Sequence, residues 1–186
     1  PRSATALPNI AASGASGANF GNVQVQDAEF GLSLELTLRG CDMSSTLEAE
    51  LECDLDYRRS GSLLLIEGER QWAAMEQRTA RIQAAGVAAQ LLDRDETCRL
   101  EPSLSPQSIL GALYHANEAS LNPFKLVHAY ARRGRQHGLE IWRHMEVTRV
   151  RVQGERVTGL DTAGGPLNAG CVVLAAGAWA RHLACT

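Results

Sequence analysis

The sequence lacks the short motifs that assign a function by themselves. It contains no CxxC pair, no HExxH, no GxGxxG and no P-loop ending GK[ST], which argues against a structural zinc site, a metalloprotease and both common nucleotide fingerprints. The five cysteines are odd in number and show no paired spacing, so we expect reduced core thiols without a disulfide framework. The five histidines also lack ligand spacing, and we predict no bound metal.

Long apolar runs and an excess of one charge are also missing. The 186 residues carry 18 Lys and Arg against 21 Asp and Glu, and the two signs are mixed along the chain, which provides no basic stripe for nucleic acid. The longest apolar run, residues 171–180, is interrupted by glycine and too short to span a bilayer. The first residues show no signal-peptide pattern. We therefore expect a cytoplasmic protein without a membrane span.

Apolar periodicity in the central part of the chain predicts helices. Apolar residues recur at helical spacing over residues 72–82, and Gly86 follows as a C-terminal cap. Asp93 lies three residues before Glu96, which is the spacing of a capping box at the start of a short helix. An Asn-Pro dipeptide at residues 122–123 predicts the start of another helix.

The segment before these helices is less regular. Residues 28–53 have mixed spacing, which we interpret as a helix that is broken near Gly40 and resumes after a cap at Ser44 or Ser45. Residues 60–70 are a compact apolar run between glycines and predict a buried strand.

The period changes to two towards the end of the chain. Residues 146–163 alternate around Gly154 and predict two strands. Residues 171–175 are continuously apolar, which predicts a central strand buried on both faces. Small residues at such a strand end are typical of ligand sites in open α/β sheets, and a buried strand leading into a tight turn is the alternative.

A glycine-rich loop precedes the first alternating run. Residues 11–27 are AASGASGANFGNVQVQD, with Gly14, Gly17 and Gly21 among small and polar residues. Such spacing lets the backbone approach another group closely and leaves N–H groups for an anion or a flat ring. A flexible linker of Gly, Ser and Ala is the alternative that this stretch alone leaves open.

These segments together resemble a known family. The ordered set GASGANFGN, YRRSGSLLLIE, LEPSLSPQSILGALYHANEASLNPFKLVHAYARRGRQHG, VTRVRVQGERVTGLDTAGG and CVVLAAGAWA closely resembles the FAD-dependent oxidoreductases of the D-amino-acid oxidase superfamily, especially the glycine oxidase and sarcosine oxidase group. The resemblance implies FAD as cofactor and an α/β fold of mixed α+β character, in which a flavin-binding α/β domain is interleaved with an antiparallel-sheet substrate domain. It implies a flavin-binding segment in residues 1–27, mainly substrate domain in residues 28–140, and the flavin-domain β-meander and central strand in residues 141–186.

The resemblance also implies cofactor contacts. The glycine loop would pass the FAD pyrophosphate and flavin, a strand start would offer a main-chain contact to adenine, and the last apolar strand would end near the isoalloxazine. The matching positions are Ser16, Gly17, Ala18, Asn19, Gly21, Asn22, Val147, Ala175, Ala176, Gly177 and Trp179. Tyr114 and His115, at a predicted strand end, are weak candidates for substrate contact, and a pair facing solvent is the alternative. No catalytic base is identified.

The implied activity is FAD-dependent oxidation of an amino acid or amine to an imine, by hydride transfer to the flavin. The implied partner is a small amine or amino acid substrate, and a homo- or hetero-oligomer is left open. Family members begin with a strand, GxGxxG and a helix that this sequence does not contain, so we expect an internal fragment that alone binds FAD weakly or not at all and is inactive. The competing hypothesis is a non-catalytic truncated domain that serves packing or subunit contact. A third, an NAD-binding domain, is disfavoured by the missing GxGxxG.

Overall fold

The computed structural model describes residues 4–7, 11, 12 and 14–184. In chain order the strands are β1 Ala4–Leu7, β2 Asn22–Val23, β3 Ser62–Ile66, β4 Ala89–Asp93, β5 Gly111–His115, β6 Ala119–Ser120, β7 Glu140–Arg143, β8 Val147–Gln153, β9 Arg156–Thr162 and β10 Gly165–Asn168. The helices are α1 Leu32–Ser44, α2 Leu47–Leu51, α3 Glu69–Ala84, α4 Arg94–Leu100, α5 Pro123–Gln136 and α6 Ala180–Ala184. Short 3₁₀ turns cover Pro106–Ser108 and Gly177–Trp179. The chain divides into two compact units, one of residues 19–126 and one of residues 1–18 with 127–186.

A three-stranded antiparallel sheet organises the unit of residues 19–126. Its central strand is β5, which pairs with β3 on one side and β4 on the other. Helix α3 packs against β4, and α4 packs against β4 and β5. Leu113 of β5 meets Ile82 of α3 and Ala89 of β4 in the buried core, and Leu64 and Met75 pack against this cluster. The predicted strand at 60–70 and helix at 72–82 therefore supply opposite sides of one core.

Helices begin and end where the sequence predicts caps. Asp93 Oδ1 accepts the N–H of Glu96 at 2.8 Å, and Glu96 Oε2 accepts the N–H of Asp93 at 2.9 Å, which completes the capping box. Asn122 Oδ1 accepts two backbone N–H groups in the first turn of α5. Gly86 and Gly138 follow α3 and α5 with φ of 83° and 85°, the left-handed conformation that ends many helices. The predicted helix end at Gly86, the capping box of Asp93 and Glu96 and the helix start at residues 122–123 are confirmed.

The break predicted near Gly40 is wrong. Helix α1 continues through Gly40 to Ser44, and the interruption falls at Ser45 and Thr46. The hydroxyl of Ser45 donates to the carbonyl of Asp42 at 2.7 Å, so it bonds back into α1 and does not cap α2. One interior glycine costs a helix only about 1 kcal/mol, which the hydrogen bonds on both sides of Gly40 offset.

The unit of residues 1–18 and 127–186 contains two sheets. Strands β8, β9 and β10 form an antiparallel meander, and β1 pairs in parallel with β7. The turn between β8 and β9 contains Gly154 with φ of 61°. The two alternating strands predicted around Gly154 are thus confirmed. Within the part of the chain that the structure describes, no helix is long and apolar enough to cross a membrane.

Residues 171–175 do not form the central strand that the sequence predicts. They have no regular secondary structure, and Val173 is 83% exposed. A strand buried on both faces needs neighbouring strands along its edges and covering layers above and below. None of the strands in the described residues pairs with this segment, so its apolar side chains stay accessible.

The expectation of core thiols is also wrong for the cysteines that the structure describes. Cys41, Cys53 and Cys98 are half-buried free thiols, and Cys171 is exposed. Cys171 is exposed because it belongs to the unpaired segment described above. Cys185 lies outside the described residues.

Leu113→Ala is expected to destabilise the protein by about 2–5 kcal/mol, because it opens a cavity at the centre of a close-packed sheet. Leu113 is fully buried, whereas Leu65 of the same sheet is 36% exposed. Leu65→Ala is the matched control and should cost much less. Denaturant unfolding at equilibrium measures both differences, and equal losses would show that the core does not centre on β5.

Candidate functional site

The first part of the predicted flavin loop is a compact turn. The N–H of Gly17 donates to the carbonyl of Gly14 at 3.0 Å, and the N–H of Ala18 donates to the carbonyls of Gly14 and Ala15, each at 3.2 Å. Ser16 is exposed in the same turn. The amides of Gly17 and Ala18 are therefore engaged within the loop, which is hydrogen-bonded backbone and not a structureless linker.

The second part of the loop is fixed by packing within the unit of residues 19–126. Asn19 Oδ1 accepts the N–H of Gly21 at 2.8 Å. Gly21 has a φ of 72°, and an added Cβ would lie 1.9 Å from the carbonyl oxygen of Leu121. The N–H of Leu121 donates to the carbonyl of Gly21 at 2.9 Å, and Asn22 then begins β2, which pairs with β6. Glycine at position 21 is thus required by a neighbouring segment of the protein itself.

The other predicted cofactor residues lie in the unit that contains residues 127–186. Val147 is the half-buried first residue of β8. Ala175 and Ala176 lead into the 3₁₀ turn Gly177–Trp179, in which Trp179 is 67% exposed. Helix α6 follows this turn directly and packs against β8. Helix α6, which follows Trp179, therefore lies against β8, which begins at Val147.

The segment around Trp179 is open to close approach by a flat, partly apolar group. Added Cβ atoms at Gly170 and Gly177 would meet nothing within 4 Å, so the backbone there is open to close approach. Trp179 is an exposed aromatic ring, and such rings stack favourably on other flat ring systems. The same open character holds at Gly14 in the glycine loop.

A polar cleft of about 270 Å³ opens in the unit of residues 19–126. Its walls come from β2 and the residues after it, from the start of β3, and from the turn that joins β5 to β6. This volume is just below the range of about 300–1,000 Å³ typical of ligand pockets. The lining offers six amide or hydroxyl side chains, Asn22, Gln24, Gln26, Ser60, Ser62 and Ser120, and one carboxylate, Glu118.

Glu118 is buried behind this cleft with its carboxylate fully engaged. The residue is 2% exposed. Its Oε1 accepts the N–H of Val25 at 2.5 Å and the N–H of Gln26 at 2.8 Å, and its Oε2 accepts the hydroxyl of Ser62. Burial of a carboxylate is tolerated only when hydrogen bonds compensate for lost water. Glu118 therefore joins the segment after β2 to the first residue of β3.

His115 is buried next to Glu118, so the solvent-facing alternative is wrong for this residue. It is 1% exposed because it points to the same face of β5 as the core residue Leu113. Its Nδ1 lies 3.9 Å from Glu118 Oε1, beyond hydrogen-bond distance. Neither ring nitrogen has a hydrogen-bond partner among the described residues. Burial lowers the pKa of His115 and Arg78 lowers it further, although the Glu118 carboxylate opposes both.

Tyr114 points to the other face of β5 and contacts Gly61, a residue of the cleft wall. It is half-buried, and an added Cβ at Gly61 would lie 2.7 Å from its ring carbon Cε2. The ring therefore covers the backbone of Gly61, which is part of the cleft wall. Of the two predicted candidates for substrate contact, Tyr114 adjoins the cleft wall and His115 is enclosed in the core. A substrate contact by either residue stays a prediction.

Sequence reasoning missed two charged residues that organise this region, Glu118 and Arg78. Arg78 Nε donates to the carbonyl of Gln26 at 2.7 Å, and its Nη2 donates to the carbonyl of Ala28 at 2.9 Å. The one sequence signal for Glu118 is an acid placed between two apolar strand segments. Arg78 gives no such signal, because it lies in a charged helix and its partners are about fifty residues away along the chain.

Comparison with protein families identifies the class of protein. The profile of the family described as "DAO: FAD dependent oxidoreductase" matches residues 8–186. The chain therefore belongs to this family of FAD-dependent oxidoreductases. The predicted family resemblance is confirmed, and the predicted cofactor, FAD, is the cofactor of the family.

Curated relatives include hydrogen cyanide synthase subunit HcnC from Pseudomonas aeruginosa, which is 34% identical over 131 residues. That match covers 70% of this chain and 31% of HcnC. D-amino acid dehydrogenase from Cereibacter sphaeroides is 31% identical over 144 residues, covering 76% of this chain and 33% of the dehydrogenase. The chain thus spans about a third of the length of these relatives.

Solved structures confirm the predicted fold class. Glycine oxidase from Geobacillus kaustophilus superposes with a TM-score of 0.90 at 27% identity, over 99% of this chain and 51% of that protein. Glycine oxidase from Bacillus cereus gives a TM-score of 0.84 at 26% identity, over 98% of this chain and 52% of that protein. The fold is therefore that of these flavoproteins over about half of their length.

Gly21→Ala is expected to destabilise the protein by about 2–4 kcal/mol, because a Cβ adds left-handed strain and meets the carbonyl of Leu121. Gly86→Ala is the matched control, since Gly86 also has positive φ but an added Cβ there meets nothing within 4 Å. Its cost should be about 1–2 kcal/mol, the conformational strain alone. Thermal and denaturant unfolding measure both, and equal effects would contradict the close approach of Leu121 to Gly21.

His115→Leu is expected to reduce the pH dependence of stability between pH 7.5 and 5.5. Because the folded pKa of His115 lies below its ordinary value of 6.5, the unfolded chain binds more protons as the pH falls through that value. The free energy of unfolding then falls with it. Leu removes this contribution, so the variant should lose less stability than the wild type over the same interval.

Thr97→Val controls for a simple change in stability at another buried position. Thr97 is fully buried and does not titrate, so this variant should shift the unfolding free energy without changing its slope against pH. The measurement is denaturant unfolding at several pH values. An unchanged slope in His115→Leu would contradict a lowered pKa at His115.

Proposed function

We propose that this chain contributes cofactor-side and substrate-side segments to an FAD-dependent oxidation of an amino acid or amine. Family membership supports the redox class. D-amino acid dehydrogenase and glycine oxidase, among the relatives, have names that specify amino acids. Since the chain spans a third to a half of these proteins, we propose the activity for a polypeptide of their full length and not for these residues alone.

The family match over residues 8–186 carries this proposal, and the polar cleft supports its substrate side. The cleft begins at Asn22, directly after Gly21 of the proposed cofactor loop, and its volume of about 270 Å³ lies just below that of typical ligand pockets. Amide and hydroxyl side chains suit a substrate that carries both an amine and a carboxylate, because they can donate and accept. We assign the substrate side to residues 28–140. The cleft lies at the boundary of this assignment, because Asn22, Gln24 and Gln26 at the end of the flavin-side segment 1–27 also line it.

Two other segments would face the cofactor. We assign residues 1–27 and 141–186 to the flavin side. Two observations support this assignment. An added Cβ at Gly14 in the glycine loop would meet nothing within 4 Å, and Trp179 in residues 141–186 is an exposed aromatic ring. The proposed cofactor contacts are Ser16, Gly17, Ala18, Asn19, Gly21, Asn22, Val147, Ala175, Ala176, Gly177 and Trp179.

The chain's own residues would bind and orient, and the redox chemistry would come from the cofactor. A bound FAD would supply the hydride acceptor for oxidation of the carbon next to the substrate amine, and the amine nitrogen would lose a proton, so that the product would be an imine that water hydrolyses. The cleft side chains would hold the substrate and displace water from it. Tyr114, which covers Gly61, would limit the cleft on the side of β5. No residue is assigned as a general base.

Trp179→Ala tests the cofactor side. In the polypeptide encoded by the complete reading frame that contains this chain, we expect bound FAD with the absorbance of a flavoprotein. Loss of one aromatic contact of about 1.4 kcal/mol corresponds to a tenfold higher Kd for FAD. FAD titration by fluorescence measures this effect. Phe124→Ala, at another exposed aromatic residue, is the control and should leave the Kd unchanged.

The same preparation tests the competing hypotheses. A colourless, folded protein that takes up no added FAD would reject the proposal and favour a non-catalytic module for packing or subunit contact. Titration with NADH should give no binding, and saturable binding would favour the third hypothesis, an NAD-binding domain. With FAD bound, reduction of the flavin absorbance by a panel of amino acids and amines under anaerobic conditions identifies the substrate.

A further inference from the structure

Two charged residues hold one short backbone segment from both of its polar edges. Glu118 Oε1 accepts the N–H groups of Val25 and Gln26 at 2.5 and 2.8 Å. Arg78 donates to the carbonyls of Gln26 and Ala28 at 2.7 and 2.9 Å. The residues of this segment lie outside any strand, so these charge-assisted bonds replace the ladder that would otherwise fix it.

The segment leads directly from the cleft. Its predecessors Asn22 and Gln24, and Gln26 within it, provide three of the polar side chains that line the cleft. Gln26 Oε1 also lies 3.4 Å from the hydroxyl of Ser62, which itself donates to Glu118. The carboxylate of Glu118 thus contacts both walls of the cleft from behind.

Glu118 and Arg78 both lie close enough to the buried residue His115 to affect its pKa. Glu118 raises this pKa and Arg78 lowers it. Glu118 also contributes to a raised pKa of the Cys41 thiol on α1, although burial is the larger cause there and Asp42 adds a smaller one. Titratable or charged groups from α1, from α3 and from the turn after β5 therefore lie near one another around Glu118.

We propose that Glu118 and Arg78 are positioning residues for the cleft: they clamp the Val25–Gln26 backbone so that the side chains of Asn22, Gln24 and Gln26 keep the geometry that binds substrate. This inference rests on the proposed function for the identity of the ligand. The clamp itself is a property of the unit of residues 19–126 and is measurable without flavin.

The Glu118 variants separate hydrogen bonding from charge. Glu118→Gln keeps an acceptor for the two N–H groups, and its amide can donate to the hydroxyl of Ser62. Glu118→Ala leaves both N–H groups without their acceptor. We expect KM for the amine or amino acid substrate to rise at least tenfold in Glu118→Ala, with a smaller change in kcat. In Glu118→Gln, KM should stay within about threefold of the wild type.

Arg78→Lys tests the other edge. Lys carries one compact ammonium group and cannot reproduce the two donors that the guanidinium directs at separate carbonyls. KM should therefore rise at least threefold. Arg70→Lys, at an exposed position of the same helix α3, and Glu67→Gln, at an exposed position after β3, are the matched controls and should leave KM unchanged.

Hydrogen exchange at the amides of Val25 and Gln26 provides the readout that is independent of activity. Both amides should be protected in the wild type and in Glu118→Gln, and should lose at least tenfold of their protection in Glu118→Ala. Protection that persists in Glu118→Ala would overturn the clamp. Loss of protection without a rise in KM would overturn its positioning role.

The two proposals fail in different ways. If the complete polypeptide binds no flavin and oxidises no amine, the proposed function is rejected, and the exchange measurement then decides the clamp by itself. If flavin is bound and amines are oxidised but KM is the same in Glu118→Ala as in Glu118→Gln, the positioning role is rejected and the proposed function stands. A rise in KM that Glu118→Gln rescues supports both.

Discussion

The buried carboxylate of Glu118 joins separate segments of the unit of residues 19–126. A carboxylate at 2% exposure is stable only with several strong donors, and here two backbone amides and one hydroxyl provide them. Those donors come from segments distant in sequence, after β2 and at the start of β3. Because the desolvated carboxylate needs these donors, it holds three parts of the unit next to one another. These same parts line the cleft.

The surrounding sheet supplies the rigidity that makes this arrangement useful. Strand β5 runs between β3 and β4, and its core-facing side chains are enclosed by α3. Its last residue, His115, is carried into the interior by the same alternation that buries Leu113. The turn that follows β5 places Glu118 three residues later. Core packing and the polar cluster are thus continuous along one strand.

Local sequence patterns predicted the elements that depend on local interactions. The capping box at Asp93 and Glu96 and the end of α3 at Gly86 follow from side chains within one turn of each other, and both are confirmed. Family resemblance correctly predicted the fold class and FAD as the family's cofactor. The predicted cofactor contacts and the assignment of segments stay predictions.

Other features depend on partners far along the chain, and the sequence did not reveal them. The continuation of α1 through Gly40 depends on hydrogen bonds that outweigh one residue's propensity. The burial of His115 and the bond between Val25 and Glu118 also depend on distant partners. Val25 and Glu118 are more than ninety positions apart in the chain. A period-two pattern identifies a strand, but it does not tell which polar residue at its end is enclosed.

The exposed apolar residues 171–175 have a consequence for handling the protein. Cys, Val, Val and Leu in succession favour extended backbone, and an extended segment with free N–H and C=O groups is a template for pairing with another chain. Two copies that meet at this segment can form intermolecular β-structure.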